Sequence, residues 1–243
     1  MTNNHSITVI DEHCGHVFFS KWNPVNGRRF CATGGAGDYF VDVWDFDTIR
    51  NQAGLVPAVT ARPLMQLRHI SVTKSDAEIP PRDSEDHFIS SIQWSHSGEK
   101  LLTSAYDNIA RVWNLEGKLM GLFRSQSRLM YSAWNKNDTL IASGGENTNL
   151  LIWNPATVVK EPVHKLPQPG EIVDVVWQSD TCLAAASQQE IYYWSIDRPE
   201  EPLMIWEGHQ NMLESIKWDQ KGLLLASSAA NDSQLMIWTP KSK

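Results

Sequence analysis

Three stretches carry residue types that could do chemistry. His13, Cys14 and His16 in "HCGH" offer three metal ligands within four residues. A tetrahedral zinc site needs a fourth ligand, usually from a second cluster, and no such cluster follows at a suitable spacing. "ATGGAGDYF" has the glycines of a phosphate loop but lacks the Gly-Lys-Ser/Thr ending and leads into a strand rather than a helix. Its glycines suit a turn between strands. His209, Asp232 and Ser227 or Ser228 could form a nucleophilic set, yet the same types recur along the chain at matched spacing, which argues for a repeated structural role. H-E-x-x-H and G-x-S-x-G are missing, and the carboxylates are scattered. The sequence therefore predicts no catalytic residue, no cofactor and no metal.

The elements that hold these residues are announced by tryptophan. Ten of the eleven tryptophans fall into pairs: Trp22 with Trp44, Trp94 with Trp113, Trp134 with Trp153, Trp177 with Trp194, and Trp218 with Trp238. By subtraction the pairs are 22, 19, 19, 17 and 20 residues apart, and the first tryptophans are separated by 72, 40, 43 and 41. Before each first Trp, apolar and polar residues alternate, as in "FISSIQW" and "MLESIKW", which marks a strand with one buried face. A polar turn, an apolar run, a second turn and a run ending in Trp follow. Weaker strands succeed most units, such as "KLMGLFR", "HKLP" and "PLMIWE". Four short strands per roughly 40 residues make a propeller blade. The expectation is a single all-β propeller region over 1–243, with five blades near 16–70, 87–124, 127–166, 171–207 and 210–239. The long first interval holds "MQLRHISV", read as a strand, and a polar loop over 71–86.

Composition limits the partners. A net charge of −7 argues against direct nucleic-acid binding and permits basic protein partners. The sequence lacks an 18-residue apolar run, so no membrane partner is expected. Three scattered cysteines suit an intracellular chain rather than a disulfide scaffold.

These units resemble WD repeats. His13 and His209 lie nine residues before a first Trp, and Asp38, Asp107 and Asp232 lie six before a closing Trp. Ser125 and Gln168 replace the His, and Asn147 and Gln188 the Asp, in the third and fourth units. The resemblance implies a structural role for His13, Asp38, Trp44, Asp107, Trp113, Trp153, Trp194, His209, Asp232 and Trp238, since a buried indole or carboxylate needs a hydrogen-bond partner. Blades without the full set should be held mainly by apolar packing.

"LRHISVTKSDAEIP", "SIQWSHSGEKLLTSAYDNIARVWNLEGKL" and "EGHQNMLESIKWDQKGLLLASSAANDSQLMIW" narrow the resemblance to the transducin-beta-like corepressor subunits, including the fungal member of the Set-three histone deacetylase complex. That family implies a nuclear, non-enzymatic scaffold in transcriptional repression, with deacetylase-complex proteins and histone tails as partners. A ubiquitin-ligase substrate receptor is the alternative, although no F-box-like segment is recognised in this sequence. The LisH oligomerisation segment of the family is also not recognised, and five blades are fewer than its propeller has. The expected form is an open part of a larger propeller, with residues 6–10 able to serve as a closing outer strand.

In such a fold the partner face is ringed by residues six and four before each first Trp and seven before each closing Trp. Aromatics, Met and Arg favour interface centres, and acids suit a basic peptide. Phe18, Phe88, Tyr106, Arg128, Met130 and Glu146 are the expected contacts, with Ser90 beside them.

Overall fold

Alternating strands cut by turns must pair locally, because each apolar face needs cover and each backbone group a partner. The computed structural model describes residues 13, 15–25, 29–37, 39–52, 62–69, 88–146, 149–157 and 161–240. The 6–10 strand, Asp38, Asn147 and the 71–86 loop lie outside the described residues.

Five antiparallel sheets form, each in chain order from its inner strand outward. Blade 1 has β1 (Val17–Trp22), β2 (Phe30–Gly35), β3 (Phe40–Asp45) and β4 (Met65–Arg68). Blade 2 has β5 (Ile89–Trp94), β6 (Lys100–Ala105), β7 (Ile109–Asn114) and β8 (Leu119–Arg124). Blade 3 has β9 (Leu129–Trp134), β10 (Ile141–Gly145), β11 (Asn149–Trp153) and β12 (His164–Pro167). Blade 4 has β13 (Ile172–Trp177), β14 (Cys182–Ser187), β15 (Glu190–Ser195) and β16 (Met204–Glu207). Blade 5 has β17 (Leu213–Trp218), β18 (Leu225–Ala229) and β19 (Met236–Trp238). The first strand of each blade packs against that of the next, so β1, β5, β9, β13 and β17 line a common axis. This is an all-β, open WD-type propeller arc.

The blades stack by one repeated rule. The residues one and three before the closing Trp face the following blade. In blade 3 these are Ile152 and Leu150, which pack with Ile172, Val175, Trp177 and Trp194 of blade 4. In blade 4 they are Tyr193 and Ile191, packed with Leu213, Ile216 and Trp238 of blade 5. In blades 2 to 5 the closing Trp thus packs back onto the preceding blade. The first tryptophans add ties: Trp94 Nε1 donates to Lys21 O at 2.9 Å and Trp177 Nε1 to Ala133 O at 3.1 Å.

The two ends of the arc differ. On blade 5 the outward positions are Leu235 and Ile237, 69% and 55% exposed. On blade 1 the closing Trp44 is only 1% exposed. A helix, α1 (Phe46–Gln52), accounts for that difference: Ile49 and Phe46 pack on Trp44, and the Phe46 ring lies 4.6 Å from that of Trp22. The strand pattern had suggested no helix here. Asp45 caps it, accepting from the Asp47 N–H at 3.1 Å and from Arg29 Nε at 2.9 Å. The Arg29 hydrogen bond holds the Asp45 carboxyl down at about 2.

Candidate functional site

Every inner strand carries a β-bulge near its start. The register slips between Val17 and Phe19, Ile89 and Ser91, Ile172 and Asp174, and Leu213 and Ser215, and opposite Met130 in blade 3. The extra residues are Phe18, Ser90, Met130, Val173 and Glu214. A bulge re-aims side chains and ends regular pairing, and here it does so at one mouth of the axis, called the upper mouth below.

There the structure joins five of the six expected contact residues into one line. Phe18, 57% exposed, lies with its ring 5.5 Å from Phe88. Phe88 stacks on Tyr106 at 4.6 Å. The Arg128 guanidinium lies 5.3 Å from the Tyr106 ring centroid, and its Nη1 is 3.6 Å from Glu146 Oε1. The line crosses blades 1, 2 and 3. Met130, half-buried, follows Arg128 by two residues. Ser90 does not belong to this face. It is 3% exposed, and its hydroxyl donates to Leu129 O at 2.5 Å, tying blade 2 to blade 3.

Below this line Tyr131 borders the axial cavity. Burial pushes its phenol up, and the charges of Asp174, Glu171 and Glu214 push the same way. Glu171 and Glu214 thus accompany the aromatic and guanidinium strip at the upper mouth. Tyr131 had not been singled out, because the bulge shifts the strand's phase and the sequence pattern does not show the shift.

The expected structural residues that are described form hydrogen-bonded sets within their blades. In blade 5, His209 Nδ1 is 2.9 Å from Asp232 Oδ2 and Nε2 is 2.7 Å from Ser227 Oγ, which also accepts Trp238 Nε1 at 2.7 Å. The His209 hydrogen bond lowers the Asp232 carboxyl. Of the two candidate hydroxyls, Ser227 is the one used. In blade 1, His13 Nε2 and Trp44 Nε1 both meet Thr33 Oγ1, at 2.8 and 2.7 Å. In blade 3, Trp153 Nε1 donates to Ser143 Oγ at 2.7 Å. Blade 2 takes its histidine from an unexpected place: His69 Nε2 meets Thr103 Oγ1, and Trp113 Nε1 donates to the same oxygen. Asp107 does not reach that histidine directly; it binds Arg111 Nη2 at 2.5 Å, and Arg111 Nη1 meets His69 Nδ1 at 2.9 Å. In blade 4, Ala185 occupies the hydroxyl position, and Trp194 Nε1 and both polar atoms of Gln168 have no partner among the described residues. Four blades thus place a Ser or Thr hydroxyl against the closing indole N–H.

Comparison with known proteins agrees with that geometry. The family model "WD domain, G-beta repeat" matches residues 81–114, 118–154 and 200–239. These are WD repeats. The first three strands of blade 4, with Gln168, Ala185 and Gln188 in the motif positions, fall outside the matches although they pair regularly. F-box-like/WD repeat-containing protein TBL1X of Mus musculus is 29% identical over 90% of this chain and 38% of its own length. WD40 repeat-containing protein HOS15 of Arabidopsis thaliana is 22% identical over 98% of this chain and 36% of its own. Histone-binding protein MSI1 of Saccharomyces cerevisiae is 29% identical over 43% of this chain and 26% of its own. The chain thus spans little more than a third of the first two relatives. Among the described residues, no three His, Cys, Asp or Glu side chains gather as a metal-ligand set, and no helix is long and apolar enough to cross a membrane.

Proposed function

We propose that this WD-repeat chain is a non-enzymatic scaffold of a nuclear histone deacetylase corepressor complex, acting in transcriptional repression. The observation that carries the interaction role is the line Phe18–Phe88–Tyr106–Arg128–Glu146 at the upper mouth, exposed at its two ends and half-buried between them. Stacked aromatics and a guanidinium held on rigid strands lose little freedom when a partner docks. The carboxylates beside Tyr131 favour a basic segment of that partner, such as a histone tail. Similarity over nine-tenths of the chain to TBL1X, and over a shorter stretch to a protein named as histone-binding, supports the assignment to this class of complex.

Affinity purification of wild type and of Tyr106→Ala with Arg128→Ala tests the reading. Deacetylase and SET-type partners should be recovered with wild type and depleted with the double variant, at unchanged melting temperature. Equal recovery with both proteins would remove the face from consideration. Cullin or Skp-type partners instead would favour a ubiquitin-ligase substrate receptor, a reading encouraged by the F-box-like name of the relative.

A further inference from the structure

The inner strands run from the aromatic mouth to the opposite end of the axis, and along them the charge reverses. Lys21 and Lys217 are the penultimate residues of β1 and β17. His96 and Lys136 stand two residues beyond the ends of β5 and β9. All four line one axial cavity of about 320 Å³, and all four are exposed. The acids of the other mouth, Glu171 and Glu214, belong to the starts of their blades, at the far end of the same strands.

The carboxylates nearest these cations are already engaged. Asp138 accepts the His96 and Ser97 backbone N–H groups at 2.7 and 2.8 Å. Asp174 Oδ2 accepts from the Ile216 N–H, from Ser215 Oγ and from Lys217 Nζ, at 3.0, 3.2 and 3.0 Å. Lysines from blades 1, 3 and 5 thus line the cavity, where Lys217 pairs with Asp174 and the His96 ring with Asp138. Gln93, whose Oε1 accepts the Trp134 N–H at 2.6 Å, adds an amide NH2 to the wall.

From this arrangement we propose that the lower mouth binds an anion of the phosphate class. A phosphoryl group carries a charge near −2 and three acceptor oxygens. Three oxygens spread about an axis match cations presented from three blades around that axis. A carboxylate has only two oxygens in a plane and half the charge. The cations are exposed, so the attraction is set by charge-assisted hydrogen bonds that salt screens. The site is separate from the aromatic face and does not depend on its partner.

Trp134 and Trp218 line the cavity, so tryptophan fluorescence reports on it. The protein is titrated with pyrophosphate and, separately, with a phosphoserine peptide and its unphosphorylated twin. Saturable binding of a phosphate probe is expected, weaker by about tenfold or more in Lys21→Gln with Lys136→Gln, with the melting temperature unchanged. It should also weaken as salt is raised. Binding of pyrophosphate alone would identify a free ligand, and preference for the phosphopeptide a modified side chain. No saturable response to either probe, or equal affinity in the double variant, would overturn the proposal.

Discussion

His69 Nε2 lies 2.8 Å from Thr103 Oγ1, although the two residues are 34 positions apart in sequence. The imidazole closes blade 2 from the end of β4, before the long loop rather than after it. Its other nitrogen faces Arg111 Nη1 at 2.9 Å. A guanidinium only donates, so Nδ1 must accept, and the proton sits on Nε2 toward Thr103. Arg111 in turn is neutralised by Asp107. Blade 2 therefore keeps a neutral histidine against a buried cation, whereas His209 in blade 5 faces a carboxylate directly.

That contrast sets a pH dependence. Burial lowers the His69 pKa well below 6.5, and the Arg111 charge adds to the effect. In the unfolded chain the ring takes up a proton near pH 6.5; in the folded protein it stays neutral. The associated stability is full above about pH 6.5 and is lost as pH falls toward the folded value. Urea midpoints of wild type should decline across this acidic range. His69→Gln should be less stable at neutral pH but decline less steeply, and parallel slopes for the two proteins would refute the assignment.

The blades were legible in the sequence because strand alternation and tryptophan spacing report on burial, and burial is what repeats. Trp44, Trp113, Trp153 and Trp194 are buried as the spacing implied, whereas Trp238, on the last blade, is half-buried. His69 was hidden because the loop after β4 breaks the nine-residue spacing to the next Trp. The helix α1 was hidden because its short run "FDTIRNQ" derives its order from Trp44 and from the Asp45 cap rather than from a long period. Of the proposed contact line, the positions could be counted back from Trp22, Trp94, Trp113, Trp134 and Trp153. The inward tie of Ser90 could not, since a bulge near the start of β5 changes which side chains point outward.

Blade 4 offers a gain of stability. Thr33, Thr103, Ser143 and Ser227 each accept an indole N–H, while Ala185 leaves Trp194 Nε1 buried with no acceptor among the described residues. A buried donor left unsatisfied costs about 1–3 kcal/mol. Ala185→Ser restores the acceptor that four sister blades hold at this register. Its unfolding free energy should rise by about 0.5–1.5 kcal/mol. A lowered urea midpoint would show that the site has no room for the hydroxyl.

The outward face of blade 5 should govern self-association. Leu235 and Ile237 stand where Leu150 and Ile152 of blade 3 are wholly buried against blade 4. Exposed apolar sheet faces drive aggregation. Leu235→Lys with Ile237→Lys should therefore reduce the light-scattering mass of concentrated protein with little change in melting. Ile152→Lys, the same chemistry at a buried register, should unfold the chain. Similar behaviour of the two substitutions would mean that the blade 5 face is also packed in solution.

At the other end of the arc, α1 stands in for a blade. In blades 2 to 5 the closing Trp is covered by the blade before it, as Trp238 is by Ala184, Ile191 and Tyr193. Trp44 has Ile49 and Phe46 instead. If the helix performs that covering role, removing its central contact should both weaken blade 1 and open the indole to water. Ile49→Ala is expected to cost about 2–4 kcal/mol, the range for a buried aliphatic cut to Ala. The emission of Trp44 should shift to the red in the variant, by comparison with Trp44→Phe backgrounds of each protein. Loss of stability without the red shift would mean that Trp44 stays covered by something other than α1.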